Sequence, residues 1–179
     1  MSINEDDEIQ RLCFTARALA QTHPLSESAY RYRTQFIESE KKRQPNNDFV
    51  DWASNAVLLG YCLRRTEEAA VNYLCEVTTS DLELLSTRAA TTSTVLRSGN
   101  ADAVTLLGSE TVVLALDRLI ATELDKRWDT AHAYTSQEDW KLFEDYLAWA
   151  VVHGYCLRIS ETQCPTLANR QHRQHVNVC

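Results

Sequence analysis

Residues 56–67 read AVLLGYCLRRTE, and residues 150–161 read AVVHGYCLRISE, so the chain contains nearly the same peptide twice, 94 positions apart. Aligned over the longer windows 49–67 and 143–161, the two copies are identical at ten of nineteen positions. Composition alone gives about one identity in a window of this length. We interpret the two copies as the trace of a duplicated half-domain.

The repeated peptide has the pattern of a helix that is buried on all sides. At 100° per residue, Val57, Gly60 and Leu63 fall on one face of the first copy, while Leu58 and Cys62 fall on the opposite face. A helix that is apolar all round is buried all round. The sequence therefore predicts two buried central helices, at 49–67 and 139–161.

The repeat also contains two of the four glycines in the chain, Gly60 and Gly154. A glycine inside a helix costs about 1 kcal/mol relative to alanine, so its presence at the same place in both copies needs a reason. Each follows an alanine by four positions, and such pairs of small residues let another backbone approach closely. We predict that the two helices cross at these glycines about a pseudo-two-fold axis. The alternative is that each glycine accommodates an aromatic ring from elsewhere in the chain.

The rest of the chain shows helical periodicity with loop signals between the periodic segments and no convincing strand pattern. Hydrophobic residues make up 44%, and the chain has only four glycines and three prolines. We expect an all-α helical bundle of about six to eight helices, built as two diverged halves. The 179 residues predict one domain over 1–179, ending in a polar C-terminal tail at 162–179.

Charge and composition exclude several classes of partner. The formal net charge is −7, which argues against binding to nucleic acid, because phosphate backbones require basic patches. No apolar run is long enough to span a membrane, and the N-terminus lacks an apolar signal-peptide core. We expect a cytoplasmic protein that is not bound to a membrane and whose six cysteines are free thiols.

The repeat supplies one cluster with binding chemistry: Tyr61, Arg64, Tyr155 and Arg158. Two arginines and two tyrosines near an axis could hold an anion or contact a partner. In the structural alternative, each arginine forms an ion pair with the glutamate three positions after it on the same helix, and the cluster serves only the fold. Near a two-fold axis these pairs could also form across the helices, Arg64 with Glu161 and Arg158 with Glu67.

The tail supplies the metal candidates: Cys164, His172, His175 and Cys179. On a helix the last three would share a face, but their spacing matches no common zinc pattern. The alternative is a solvated tail that docks on the bundle or on a neighbour. His153, which replaces Leu59 of the first copy, is predicted to be a half-buried helix histidine.

No phosphate-binding loop, dinucleotide fingerprint, nucleophile elbow or H-E-x-x-H motif is present, so we expect no cofactor. The sequence favours a non-enzymatic domain that binds a protein partner and acts as an inhibitory or regulatory module. The alternative is a sensor for a small ligand or a metal, with its site between the halves or in the tail. An enzyme is the third hypothesis, and self-association into a homo-oligomer stays open.

Overall fold

The computed structural model describes residues 4–42, 49–73, 110–127 and 137–163, and all regular secondary structure in these ranges is α-helical. The helices pack together as a bundle, which confirms the predicted all-α class. The described ranges contain five helices, so they do not confirm the predicted count of six to eight. The five are α1 (Glu5–Thr22), α2 (Glu27–Lys42), α3 (Phe49–Tyr73), α4 (Glu110–Arg127) and α5 (Gln137–Gln163).

The ends of α1 and α2 follow from local chemistry. Four acidic residues, 5–8, occupy the first turn of α1, where they interact favourably with the helix dipole. The helix ends before His23, whose extended backbone is the conformation that a following proline imposes. Ser26 then caps α2, because its hydroxyl oxygen accepts a hydrogen bond from the backbone N–H of Ala29 at 3.1 Å. The helical pattern of the sequence resumes near Ser26 after the break at His23–Pro24, which predicts a helix from there, and the structure confirms it.

The two repeat copies lie on α3 and α5, and these helices pack against each other more extensively than any other pair in the described part of the chain. Both are longer than the predicted segments 49–67 and 139–161. Helix α3 continues for six residues past Glu67, to Tyr73, because the sequence after Glu67 is rich in strong helix formers and contains neither glycine nor proline. Helix α5 begins at Gln137 and ends at Gln163.

The core surrounds the repeated peptide. On α3 every residue from Ala56 to Tyr61 is buried, and on α5 every residue from His153 to Leu157 is buried. Helices α1 and α4 contribute Leu12 and Leu116, which are completely inaccessible to solvent. Both repeat helices are thus central, as predicted. Within the residues that the structure describes, no helix combines the length and the apolarity needed to cross a bilayer.

Candidate functional site at the helix crossing

The two repeated glycines lie where α3 and α5 cross. A methyl group added to Gly60 would lie 1.9 Å from the carbonyl oxygen of Val151, and one added to Gly154 would lie 1.8 Å from that of Val57. Real contacts of this kind are not shorter than about 3.0 Å. The two backbones are therefore in direct contact, and the predicted crossing at the glycines is confirmed. The aromatic-ring alternative is wrong, because each glycine faces backbone atoms.

The same crossing carries two tyrosine–glutamate hydrogen bonds. The Tyr61 hydroxyl donates to Oε2 of Glu161 at 2.6 Å, and the Tyr155 hydroxyl donates to Oε2 of Glu67 at 2.5 Å. Tyr155 stands 94 positions after Tyr61, and Glu161 stands 94 positions after Glu67. The two bonds are thus equivalent under exchange of the repeat copies, as are the two glycine contacts.

The arginines form the pairs expected within their own helices, Arg158 with Glu161 and, at a longer 3.9 Å, Arg64 with Glu67, and both also bind Glu68. Arg158 donates from Nε to Glu68 at 2.8 Å and from a terminal nitrogen to Glu161 at 2.7 Å. Arg64 donates from Nε to Glu68 at 3.2 Å and from a terminal nitrogen to the Tyr155 hydroxyl at 3.3 Å. The alternative in which the ion pairs form across the helices, Arg64 with Glu161 and Arg158 with Glu67, is therefore wrong.

The arginines do not pair with the glutamates on the opposite helix, because the tyrosine hydroxyls already donate across the crossing to Glu67 and Glu161. Each guanidinium instead lies over the ring of the tyrosine on the opposite helix, with 5.5 Å from Arg64 to the Tyr155 ring centre and 5.9 Å from Arg158 to the Tyr61 ring centre. These distances are within the range of cation–π attraction.

Glu68 breaks the equivalence of the two copies, because the corresponding position on α5 is Thr162. Its two carboxylate oxygens each accept from a different arginine, Arg64 on its own helix and Arg158 on α5. The sequence contained a signal for the first contact, since Glu68 stands four positions after Arg64, but none for the second. Glu68 therefore joins the two guanidinium groups that the repeat brings together.

A second asymmetry connects the crossing to α2. Oε1 of Glu67 accepts hydrogen bonds from the hydroxyls of Ser26 and Ser28, the latter at 3.2 Å. Ser26 is also the residue that caps α2. The start of α2 is consequently held against the crossing by the same carboxylate that binds Tyr155. Sequence reasoning did not identify the serines as part of this cluster.

Burial keeps the tyrosines protonated. Desolvation raises the pKa of Tyr61 above its ordinary value, and the negative charge of Glu161 raises it further. For Tyr155, burial is again the largest cause of a raised pKa, followed by the hydrogen bond to Glu67. Both hydroxyls are therefore stable hydrogen-bond donors to carboxylates rather than acids that could release a proton near neutral pH.

The charges of the cluster are already paired within the chain. Its two guanidinium groups bind three carboxylates, those of Glu67, Glu68 and Glu161, the first through a longer contact of 3.9 Å from Arg64. An anion at this place would have to displace a carboxylate that the fold itself supplies. The structure thus brings the four predicted residues of the repeat together, in an arrangement suited to holding two helices in one register.

His153 is more deeply buried than predicted, with 6% of its surface exposed. Its ring lies against that of Trp149, tilted by 35° and with 3.7 Å between ring centres, and Nδ1 lies 2.9 Å from the Trp149 carbonyl oxygen. The place of Trp52, Trp140 and Trp149 in or beside the repeat helices predicts that all three are largely buried, but Trp149 is half-buried. The side chains of Trp52 and Trp140, for which burial was also predicted, lie outside the described part of the chain.

The metal candidates Cys164, His172, His175 and Cys179 lie outside the described residues. Within those residues, no group of three or more histidine, cysteine or acidic side chains is arranged to hold a metal ion. Three cysteines of the described helices, Cys13, Cys62 and Cys156, are free thiols. Burial raises the pKa of the Cys156 thiol to about 11, which makes it an unreactive core residue.

No protein-family model, curated protein or solved structure matches this chain.

Proposed function

We propose that the chain is a non-enzymatic helical interaction domain, which binds a protein partner in the cytoplasm and acts in an inhibitory or regulatory way. The observation that supports this most is the pairing of Arg64 and Arg158 with carboxylates of the same chain. The two arginines of the repeated peptide thereby have a structural role at the helix crossing. A function is then carried by the outer surfaces of the helices.

Those outer surfaces present large apolar side chains on separate helices. Phe14 on α1 is 75% exposed, Tyr30 on α2 is 55% exposed and Leu142 on α5 is 62% exposed. Aromatic side chains are enriched in protein interfaces, but single exposed apolar residues also occur on ordinary surfaces. The proposal therefore requires a test that distinguishes one face of the molecule from another.

Site-specific photocrosslinking supplies that test. A photoreactive amino acid is placed in turn at Phe14, Tyr30 and Leu142, and at exposed control positions on other faces of the same helices, Glu5 on α1, Gln35 on α2 and Lys141 on α5. The tagged protein is irradiated in cells of its native host, purified under denaturing conditions and analysed by mass spectrometry. We expect one protein to be crosslinked from one apolar position and not from the matched control on the same helix. Equal yields at all positions, or no adduct, would contradict the proposal.

The sensor alternative predicts different results on the same purified protein. Elemental analysis would find a stoichiometric metal, or a panel of small ligands would raise the melting temperature by several degrees. Either outcome would favour a ligand or metal site, between the halves or in the tail, over a protein partner. We expect neither.

We further propose that the chain is a single domain of two diverged halves, each contributing one central helix and together comprising six to eight helices. The support is that equivalent contacts, Gly60 to Val151 and Gly154 to Val57, relate the two copies by a constant offset of 94 residues. Backbone chemical shifts from NMR would test the count. We expect one to three helices beyond the five already assigned. A spectrum that shows no additional helix would contradict the proposed count.

A further inference from the structure

Helix α2 is attached to both central helices by polar contacts at its two ends. In the start contact, the hydroxyls of Ser26 and Ser28 donate to Oε1 of Glu67 on α3, the latter at 3.2 Å. In the end contact, Lys41 forms an ion pair with Glu144 on α5. Helix α2 therefore lies along the α3–α5 pair, with one end bound to each of the two helices.

Between these two contacts α2 is packed only moderately. Among the five described helices it packs least extensively against the other four, and it shares little contact with α1, which precedes it in the sequence. Its inner side buries Ala29, Tyr32 and Ile37, but also Glu40, which is 6% exposed. A buried carboxylate stabilises a docked helix less than an apolar side chain of similar size. The inner side of α2 is therefore suited to reversible docking.

The helix crossing does not require α2, because Glu67 uses a different oxygen for each. Its Oε1 accepts from the two serines at the start of α2, and its Oε2 accepts from the Tyr155 hydroxyl at 2.5 Å. The backbone contacts at Gly60 and Gly154 involve α3 and α5 alone. Departure of α2 would therefore leave Glu67 bound to Tyr155 and both glycine contacts in place.

Helix α1 is likewise held independently of α2. The Ser160 hydroxyl on α5 donates to the carbonyl oxygen of Leu12 at 3.2 Å, and Asp6 pairs with Arg118 on α4 at 2.6 Å. Residues 23–26 connect the two helices, and the extended backbone of His23 separates them. A movement of α2 about this connection need not displace α1.

We propose that α2 is a detachable helix, which leaves the α3–α5 pair as a unit while the other four described helices stay packed. Opening breaks the start contact and the end contact, and it exposes Tyr32 and Ile37 together with the surface of the α3–α5 pair beneath them. The chain thereby has a closed and an open state that differ in exposed apolar surface. A molecule that binds the open state more tightly shifts the equilibrium towards it.

Native-state hydrogen exchange, read by mass spectrometry on the full chain, tests whether α2 opens separately. We expect the protection factors of α2 amides to be at least about tenfold lower than those of α3 and α5, because a local opening requires less free energy than global unfolding. Low concentrations of urea should accelerate exchange in α2 less than in α3, because opening of one helix exposes less surface than unfolding of the whole chain.

Removal of the two end contacts tests what holds α2 closed. The double variant Ser28→Ala, Lys41→Met loses one hydrogen bond and one ion pair to the central helices, so the protection of α2 should fall about tenfold. Ser26 stays in place because it caps α2. Lys141→Met is the matched control, since Lys141 is an exposed lysine on α5, and it should leave the protection of α2 unchanged.

A change at the crossing separates local opening from global unfolding. Tyr61→Phe removes the hydrogen bond to Glu161, which the open state retains and the unfolded state lacks. The protection of α3 and α5 should therefore fall, while that of α2 stays as in the parent. If α2 exchanged only by global unfolding, its protection would fall by the same factor as that of α3. Melting curves confirm that each variant is folded, and the urea dependence of the parent needs no variant.

Equal protection and equal urea dependence in α2 and α3 would overturn the detachable helix, as would a loss of α2 protection in Tyr61→Phe that matches the loss in α3. Exchange of α1 and α2 with the same protection would show that the two helices open together, which also contradicts the proposal. An unchanged α2 in the double variant would exclude the two end contacts as its attachment. None of these results bears on the proposed partner protein, which is detected separately by crosslinking in the host.

Discussion

Replacement of Gly60 by alanine adds one methyl group where α3 and α5 touch. That group would lie 1.9 Å from the Val151 carbonyl oxygen and 2.8 Å from the Tyr155 backbone nitrogen. Ordinary van der Waals contact begins near 3.4 Å, so the helices would have to separate by about 1.5 Å at this point. Both neighbours are backbone atoms, which a side-chain rotation cannot move away.

Two effects oppose each other in this variant. Alanine in place of glycine favours a helix by about 1 kcal/mol. Against this, overpacking costs about 1–3 kcal/mol and sometimes more. Separation of the helices would also weaken the hydrogen bonds of Tyr61 and Tyr155 to carboxylates, a kind of bond worth about 1.5–3 kcal/mol each. The losses are larger, so we expect Gly60→Ala to lower the free energy of unfolding by about 2–4 kcal/mol.

Gly154→Ala should behave in the same way, because its added methyl would lie 1.8 Å from the Val57 carbonyl oxygen. The two substitutions act on one contact, so once the first has separated the helices the second has less to disrupt. The double variant should lose less than the sum of the single losses, by about 0.5–3 kcal/mol.

Urea unfolding followed by circular dichroism measures all three variants. Ala69→Leu is the control, because Ala69 is exposed on the same helix and a larger side chain there should change stability by less than about 0.5 kcal/mol. A Gly60→Ala protein as stable as the parent would refute the reasoning. Strict additivity of the two glycine substitutions would mean that the helices do not meet at these residues.

Three further changes test the cluster around the crossing. Tyr61→Phe removes the hydroxyl that donates to Glu161 and should cost about 1.5–3 kcal/mol in the same urea assay; an unchanged midpoint would contradict the buried bond. Arg158→Ala leaves the buried Glu161 with one partner fewer and should cost more than Arg31→Ala, whose ion pair is exposed and worth about 0–1 kcal/mol; equal losses would argue against a role for Arg158 in the core. Because burial raises the pKa of Cys156 from 9.0 to about 11, the folded state holds a proton that the unfolded state releases in this interval. Stability should therefore be fully present below pH 9, fall as the pH rises towards 11, and fall less steeply in Cys156→Ala; identical slopes for parent and variant would exclude this thiol as a source of the loss.

Much of the fold could be predicted from local patterns. Helical periodicity identified the all-α class, and the repeated apolar peptide identified α3 and α5 as central, because a segment that is apolar all round can only be buried. The glycine contact could also be predicted from the sequence. Gly60 and Gly154 each cost stability inside a helix, and the close approach of a neighbouring backbone is a reason for that cost. The ends of the helices were predicted less accurately. Helix α3 continues past Glu67 through residues whose helix propensity is high, although the apolar pattern has ended there.

The partners of the polar side chains were decided by the tertiary structure. Spacing placed Arg64 and Glu67 on one face of a helix but could not show whether an arginine or a tyrosine would reach the opposite carboxylate. At the close approach that the glycines permit, the rigid tyrosines span the crossing, and the longer arginines lie over their rings and meet at Glu68.

The attachment of α2 also depended on tertiary structure, because Ser28 and Lys41 reach Glu67 and Glu144, to which no local pattern connects them. The sequence by itself determined which residues form helices and which helices are buried, since both follow from propensity and periodicity along the chain. Tertiary structure alone decided which charges pair and which apolar side chain stays exposed. These outcomes depend on distances between atoms that are remote in sequence, and the close contact of two backbones sets those distances.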